Sequence, residues 1–189
     1  MNKPEIVFSK MSGTGNDFIV IDNTKGAYDL DWSDFAKHYC ERRVSVGADG
    51  VLVLEPHETC DFNYRIFNAD GSEAEMCGNG ARCAARFAFE HGIAGKEMSF
   101  MTLAGVIEAR IDDQDVAVKM TRPKNLRLAI ALELNSQPVT AHFADTGVPH
   151  AIVFVDSIDE YDVETNGRAL RYHGEFTPAG TNADFVGLT

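Results

Sequence analysis

The run NADGSEAEMCGNGARCAARFAFEHG, residues 68–92, puts a cysteine at the mouth of a Gly-Asn-Gly turn, directly before a nearly all-apolar segment. If that segment is a helix, Cys77 stands at its N-terminal end. The first backbone N–H groups there lack intrahelical partners, and the macrodipole places about half a positive charge. A thiol in that position is favoured as thiolate, below its free pKa of ~8.5. Gly78 and Gly80 leave the backbone uncovered, so a carboxylate can approach the same N–H groups, and Asn79 adds a neutral donor. One turn thus offers a base and an anion cradle. The competing reading makes Cys77 a small buried hydrophobe, the commoner fate of a free cysteine. On local sequence the two readings stand level, with the flanking glycines speaking for chemistry.

The other candidates are weaker. Cys83 lies mid-helix on an apolar surface and reads as core, while Cys40 and Cys60 have no special surroundings. No two of the four cysteines form a C-x-x-C pair, and the six histidines are scattered, so no metal site is expected. SGTGNDF lacks both the G-x-G-x-x-G spacing and the P-loop lysine, which argues against a phosphate loop. Asn16 within it is an amide at a loop–strand junction. Asn68 in RIFNADG and Asn182 in AGTNADF read locally as turn residues, and His150 in GVPHAIVF as a structural histidine.

These residues need elements to hold them. EIVF (5–8) and FIVID (18–22) predict strands joined by the loop KMSGTGND. DWSDFAKHYCERR (31–43) carries a helical stripe with Asp31 or Ser33 as cap. GVLVLEP and CDFNYRIFN predict two further strands, the second alternating Phe62, Tyr64 and Ile66 with Asn63, Arg65 and Phe67. From Ala81 to Phe89 only Arg82 and Arg86, four apart on one face, interrupt an apolar helix that must be buried, with Gly92 as its stop. Strands resume in MSFMTLAGVIEARI and DVAVKM. TRPKNLRL (121–128) suggests a domain crossing, and LAIALELNSQPVTAHFAD, TGVPHAIVFVD and GTNADFVGL are again strand-like. Many short strands with about three helices predict an α+β, or mixed α/β, architecture built mainly on antiparallel sheet.

Composition bounds the function. The chain has 189 residues, 44% hydrophobic and 24% charged, with net charge −12. That acidity excludes nucleic acid as partner. No apolar run is long enough to span a membrane and no export signal opens the chain, so a cytoplasmic protein with reduced thiols is expected. TGNDFIVID (14–22) and TGVPHAIVFVD (146–156) form a faint internal echo. If it is a repeat, the counterpart of Cys77 falls at roughly residue 209, past Thr189.

Taken together, SGTGNDFIVID, VGADGVLVLEP, YRIFNADGSEAEMCGNGARCAARF and FTPAGTNADF resemble the diaminopimelate epimerase family. The resemblance runs from about residue 5 to the end of the chain. It implies a diaminopimelate epimerase-like fold, in which mainly antiparallel sheet wraps a buried central helix, pseudo-repeated in two domains, here 1–121 and an incomplete 122–189. It implies LL-to-meso epimerisation of diaminopimelate, for lysine and peptidoglycan precursors, by two cysteines on opposite faces of the α-carbon, without metal or cofactor. By motif, Cys77 is the first of those cysteines. Gly78 and Asn79 bind the reacting carboxylate, Asn16, Asn68 and Asn182 fix the substrate's charged ends, and His150 tunes the thiols. Val148 and Gly50 stand where some members carry amides. The second cysteine is not in this sequence, so the expectation is half an active site on a truncated chain. The alternatives are a proline racemase-like or phenazine-isomerase-like enzyme of the same fold, or a non-catalytic ligand-binding half. The partner is a small amino acid, and a homodimer is compatible.

Overall fold

A computed structural model describes residues 5–120 and 122–187. The chain divides into two compact units, Met1–Met120 and Thr121–Thr189. Thr121 of the expected crossing and the last residue of GTNADFVGL lie outside the described residues.

The first unit is built on one sheet in the order β1-β2-β3-β4-β6-β7-β8, with β5 paired to β4. These are β1 (Ser9–Gly13), β2 (Asn16–Asp22), β3 (Gly50–Glu55), β4 (Phe62–Asn68), β5 (Glu73–Ala74), β6 (Glu97–Thr102), β7 (Gly105–Asp112) and β8 (Asp115–Lys119). Most neighbours are antiparallel, but β2–β3 and β4–β6 run parallel. FIVI and VLVL read as unbroken apolar runs because the centre of this sheet is buried on both faces. Phe18, Val20, Leu52, Leu54, Tyr64 and Ile66 pack with helix α2 (Gly78–Glu90). Their alternates Ile19, Ile21, Val51, Val53 and Phe67 pack with Trp32 and Ala36 of α1 (Trp32–Tyr39).

Helix α2 touches β1, β2, β3 and β4 at one side of the strand order and β7 and β8 at the other, so the sheet curls around it. Its buried Ala81, Ala84, Ala85 and Ala88 allow that close wrapping. Asp31 caps α1 by accepting from Asp34 N–H. Past the end of α2, Gly92 takes a left-handed φ of 67° and stops the helix.

The second unit has the sheet order β12-β11-β10-β9, formed by β9 (Lys124–Leu134), β10 (Gln137–Asp145), β11 (Pro149–Val155) and β12 (Asn182–Gly187). Its core of Leu132, Leu134, Ala141, Ala151 and Val153 is closed by Leu170 of α3 (Val163–Arg171) and by Phe176. The parallel pair β11–β12 matches β2–β3 in the first unit. β11 and β2 are the strands of the sequence echo.

Two local expectations are corrected. Residues 5–8 form no strand; β1 starts at Ser9 and uses the first half of the segment read as loop. The Gly13↔Asn16 pairing fixes the register, and pairing ends at Ser9↔Val20. The central residues of that turn, Thr14 and Gly15, both have positive φ (58° and 83°), the signature of a two-residue type I′ hairpin. Helix α1 ends at Tyr39, with Cys40 as its C-cap, rather than running through Arg43.

Candidate active site

Cys77 is the N-cap of α2. Its Sγ accepts from the Gly80 N–H at 3.5 Å, the bond an N-cap oxygen would normally make. Ser, Thr, Asp and Asn are the preferred caps, so sulfur here trades capping strength for a group that can ionise and move a proton. The Gly78 and Asn79 N–H groups at the same helix end have no partner among the described residues. Such groups at a helix start are free to bind an anion.

Asn16 reaches this point through the hairpin. A Cβ on Gly13 would sit 2.8 Å from the Asn79 carbonyl oxygen, so only glycine lets β1–β2 lie against the start of α2. The Cys77 S–H donates to Asn16 Oδ1 at 3.7 Å, and Asn79 Nδ2 donates to the same oxygen at 3.4 Å. Asn16, Cys77, Gly78 and Asn79 therefore converge. Asn68 ends β4 at the same edge of the sheet, in register with Gly50, and its amide donates to Ser72 Oγ at 2.9 Å. A Cβ on Gly50 would lie 2.6 Å from the Phe67 carbonyl oxygen, so this backbone has no room for a side chain there.

An ionic cluster supports the hairpin from outside. Arg42 pairs with Asp17 and, at 2.8 Å, with Asp49; Lys10 pairs with Asp17 at 2.7 Å. The Arg42 guanidinium holds the Asp17 carboxyl well below the usual carboxylate range, against the opposing effect of burial and with help from Lys10. Asp49 accepts from Asn16 Nδ2 at 2.8 Å and from the Asp17 backbone N–H at 3.0 Å. On the helix side, Arg82 donates to Asn79 Oδ1 at 2.6 Å and to Thr14 Oγ1 at 2.9 Å. Sequence reasoning noticed Arg82 only as an interruption of an apolar helix, and missed Asp49, Asp17 and Arg42. A charge on an otherwise apolar face was the one usable signal.

The remaining candidates belong to the second unit. His150 and Asn182 are register partners on β11 and β12. His150 Nδ1 lies 2.8 Å from the Asp184 carboxylate, also on β12. These residues, with Glu164, Arg168 and Arg171 of α3, line an open groove of about 630 Å³. Asp184 was not singled out in the sequence.

All four thiols are free. Cys40 and Cys83 are buried in the two cores on either side of the sheet, and burial pushes Cys40 up to about 11 and Cys83 upward too. Cys60 sits in the loop before β4. Among the described residues no group of His, Cys, Asp and Glu is arranged to hold a metal ion, and no helix is long and apolar enough to cross a membrane.

The diaminopimelate epimerase profile matches residues 8–126, which include the whole Cys77 site. A diaminopimelate epimerase of Hydrogenobaculum sp. is 45% identical across 97% of this chain and 71% of its own length. One of Aquifex aeolicus is 41% identical across 95% of this chain and 68% of its own. The chain belongs to the diaminopimelate epimerase family. Membership makes the chemistry an epimerisation, an isomerase reaction in lysine biosynthesis. The proline racemase-like and phenazine-type alternatives are relatives in fold. A probable proline racemase from Agrobacterium radiobacter superposes with TM-score 0.63 at 16% identity, over 88% of this chain and 57% of its own. A hydroxyproline epimerase from Agrobacterium vitis gives 0.62 at 18%, over 87% and 56%. The chain thus spans little more than half the length of these solved structures, and the likeness is one of fold, the curled α+β architecture described above.

Proposed function

We propose that Cys77 is one of the two acid–base groups that invert the α-carbon of diaminopimelate, with its sulfur taking or giving the proton on one face. The observation that carries this is a cysteine in the N-cap position, with unpaired N–H groups beside it and an amide oxygen on its S–H. As thiolate, the sulfur takes the α-proton. The electron pair left on the α-carbon spreads into the substrate carboxylate, where the Gly78 and Asn79 N–H groups and the positive helix end meet the growing charge. Reprotonation from the opposite face gives the other epimer. Cys40 and Cys83 are buried and Cys60 lies in a distant loop, so the opposite face is worked by a group other than these.

In this reading Asn16, Asn68 and Asn79 of the first unit meet the substrate's ammonium and carboxylate groups, and the second unit's candidates are Asn182 as a substrate contact and His150, oriented by Asp184, as an acid–base group. No cofactor is required. The protein acts in the cytoplasm, where reducing conditions keep Cys77 as a thiol, and a homodimer is compatible.

The test is exchange of the substrate α-proton with solvent deuterium. Cys77→Ala is expected to lower exchange and inversion by at least about 100-fold, the scale of lost general acid–base catalysis. Undiminished turnover in that variant overturns the assignment.

A further inference from the structure

The hydrogen bonds around Cys77 run in one direction. Arg82 donates to Asn79 Oδ1 at 2.6 Å, Asn79 Nδ2 to Asn16 Oδ1 at 3.4 Å, and Asn16 Nδ2 to Asp49 Oδ2 at 2.8 Å. The two ends of this chain have no choice of role, because a guanidinium only donates and a carboxylate only accepts. Burial pushes the Asp49 carboxyl up, but hydrogen bonds from Asn16, the Asp17 backbone and Arg42 outweigh it and leave the group below the ordinary carboxylate range. The two asparagines between them do have a choice, since a side-chain amide can swap oxygen and nitrogen by turning over. Turning Asn16 over would set its oxygen against the Asp49 carboxylate and its N–H groups against those of Asn79. Turning both would relieve the contact between the two amides, but it would leave the Asn16 oxygen against Asp49 and set the Asn79 N–H groups against Arg82.

We propose that Asp49 and Arg82 are positioning residues that lock the orientation of Asn16 and Asn79, so that the Cys77 sulfur meets a carbonyl oxygen at Asn16 and never an amide N–H. This rests on the reading of Cys77 as the reacting thiol. The lock divides the sulfur's surroundings: the Gly80 N–H supports the anion, and Asn16 Oδ1 supports the S–H and opposes the anion. Two titratable groups that interact electrostatically with this sulfur, Tyr64 on β4 and Cys83 on α2, are both pushed upward by burial and stay neutral.

Alkylation of Cys77 against pH, read from its own peptide by mass spectrometry, tests the lock in four forms: unsubstituted, Asp49→Asn, Asn16→Ala and the double variant. An asparagine at 49 can donate, so Asn16 is free to turn and offer its N–H to sulfur. Below the labelling midpoint, Asp49→Asn is expected to label about tenfold faster. In the Asn16→Ala background the same change is expected to give less than about twofold, the share due to lost charge alone. Equal acceleration in both backgrounds, or none in either, overturns the lock. Should Asp49→Asn fail to fold, side-chain amide exchange in the unsubstituted protein decides. An Asn16 Nδ2 proton held by Asp49 exchanges at least about tenfold more slowly than that of a free asparagine, and exchange at the free rate overturns the proposal. Protection of Cys77 by added diaminopimelate reports separately on the site: no protection beside an intact Asp49 effect defeats the function and leaves the lock standing.

Discussion

Gly80 and Tyr64 contend for one space: a side-chain carbon on Gly80 would collide with the Tyr64 hydroxyl oxygen and come within 3.1 Å of Leu52 Cδ2. The first turn of α2 is therefore seated directly on β3 and β4, and the N–H that Gly80 gives to Cys77 is fixed in place by that seating. Gly80→Ala is expected to destabilise the protein by about 1–3 kcal/mol, the range for overpacking, seen as a lower melting temperature. The Tyr64 hydroxyl is buried without a hydrogen-bond partner among the described residues. Tyr64→Phe removes it, so this variant should be neutral or stabilising, and Gly80→Ala should cost less in its background. A full additive penalty in the double variant would contradict the shared-space account.

Asp17 makes a pH-dependent contribution to stability. Its folded pKa is depressed, chiefly by Arg42. The contribution is therefore present above the unfolded carboxylate pKa of ~3.9 and lost as pH falls below it. Asp17→Asn is expected to cost about 1 kcal/mol at pH 7, a modest figure because its partners are exposed. Urea melts of both proteins should converge as pH drops below about 4. A gap that persists in acid would mean the asparagine disturbs packing instead.

The four cysteines should label in a definite order. Cys77 and Cys60 are partly exposed, whereas Cys40 and Cys83 are buried. At pH 8 the native protein should incorporate iodoacetamide at Cys77 and Cys60. Cys40, pushed up to about 11 by burial, should react at least about 100-fold more slowly, until denaturant is added. Peptide mapping checks this, and early labelling of Cys40 would show that the α1 face opens.

His150 should hold one tautomer. With Nδ1 2.8 Å from Asp184, the neutral ring carries its proton on Nδ1 and leaves Nε2 as the acceptor. Nitrogen NMR should show that form in the native chain and a mixture in Asp184→Ala. An unchanged spectrum would show that the pairing does not set the ring.

Much of the first unit was legible because its physics is local or periodic. FIVI and VLVL announce strands buried on both faces, and ARCAARFAF a helix with no solvent side. The misplacement of β1 has a different origin. EIVF has strand composition, but the type I′ turn at Thr14–Gly15 sets the register, and that register spends its pairing on SKMSG. Helix α3 was not located, since VETNGRALR has only Val163, Ala169 and Leu170 as apolar residues and buries Leu170 alone. At the site, Cys77 stood out by its neighbours in sequence. Asp49 could not, because its role comes from lying opposite a hairpin 33 positions away.

The embrace of α2 by both flanks of the strand order sets a timetable for biogenesis. A growing chain can make the β1–β2 ribbon and even the helix early, yet the groove wall is incomplete until β8 arrives from around residue 115. Contacts so distant along the backbone form late. A nascent chain thus leaves one side of α2 uncovered until that strand has been made, and the helix gains its last wall only with final closure.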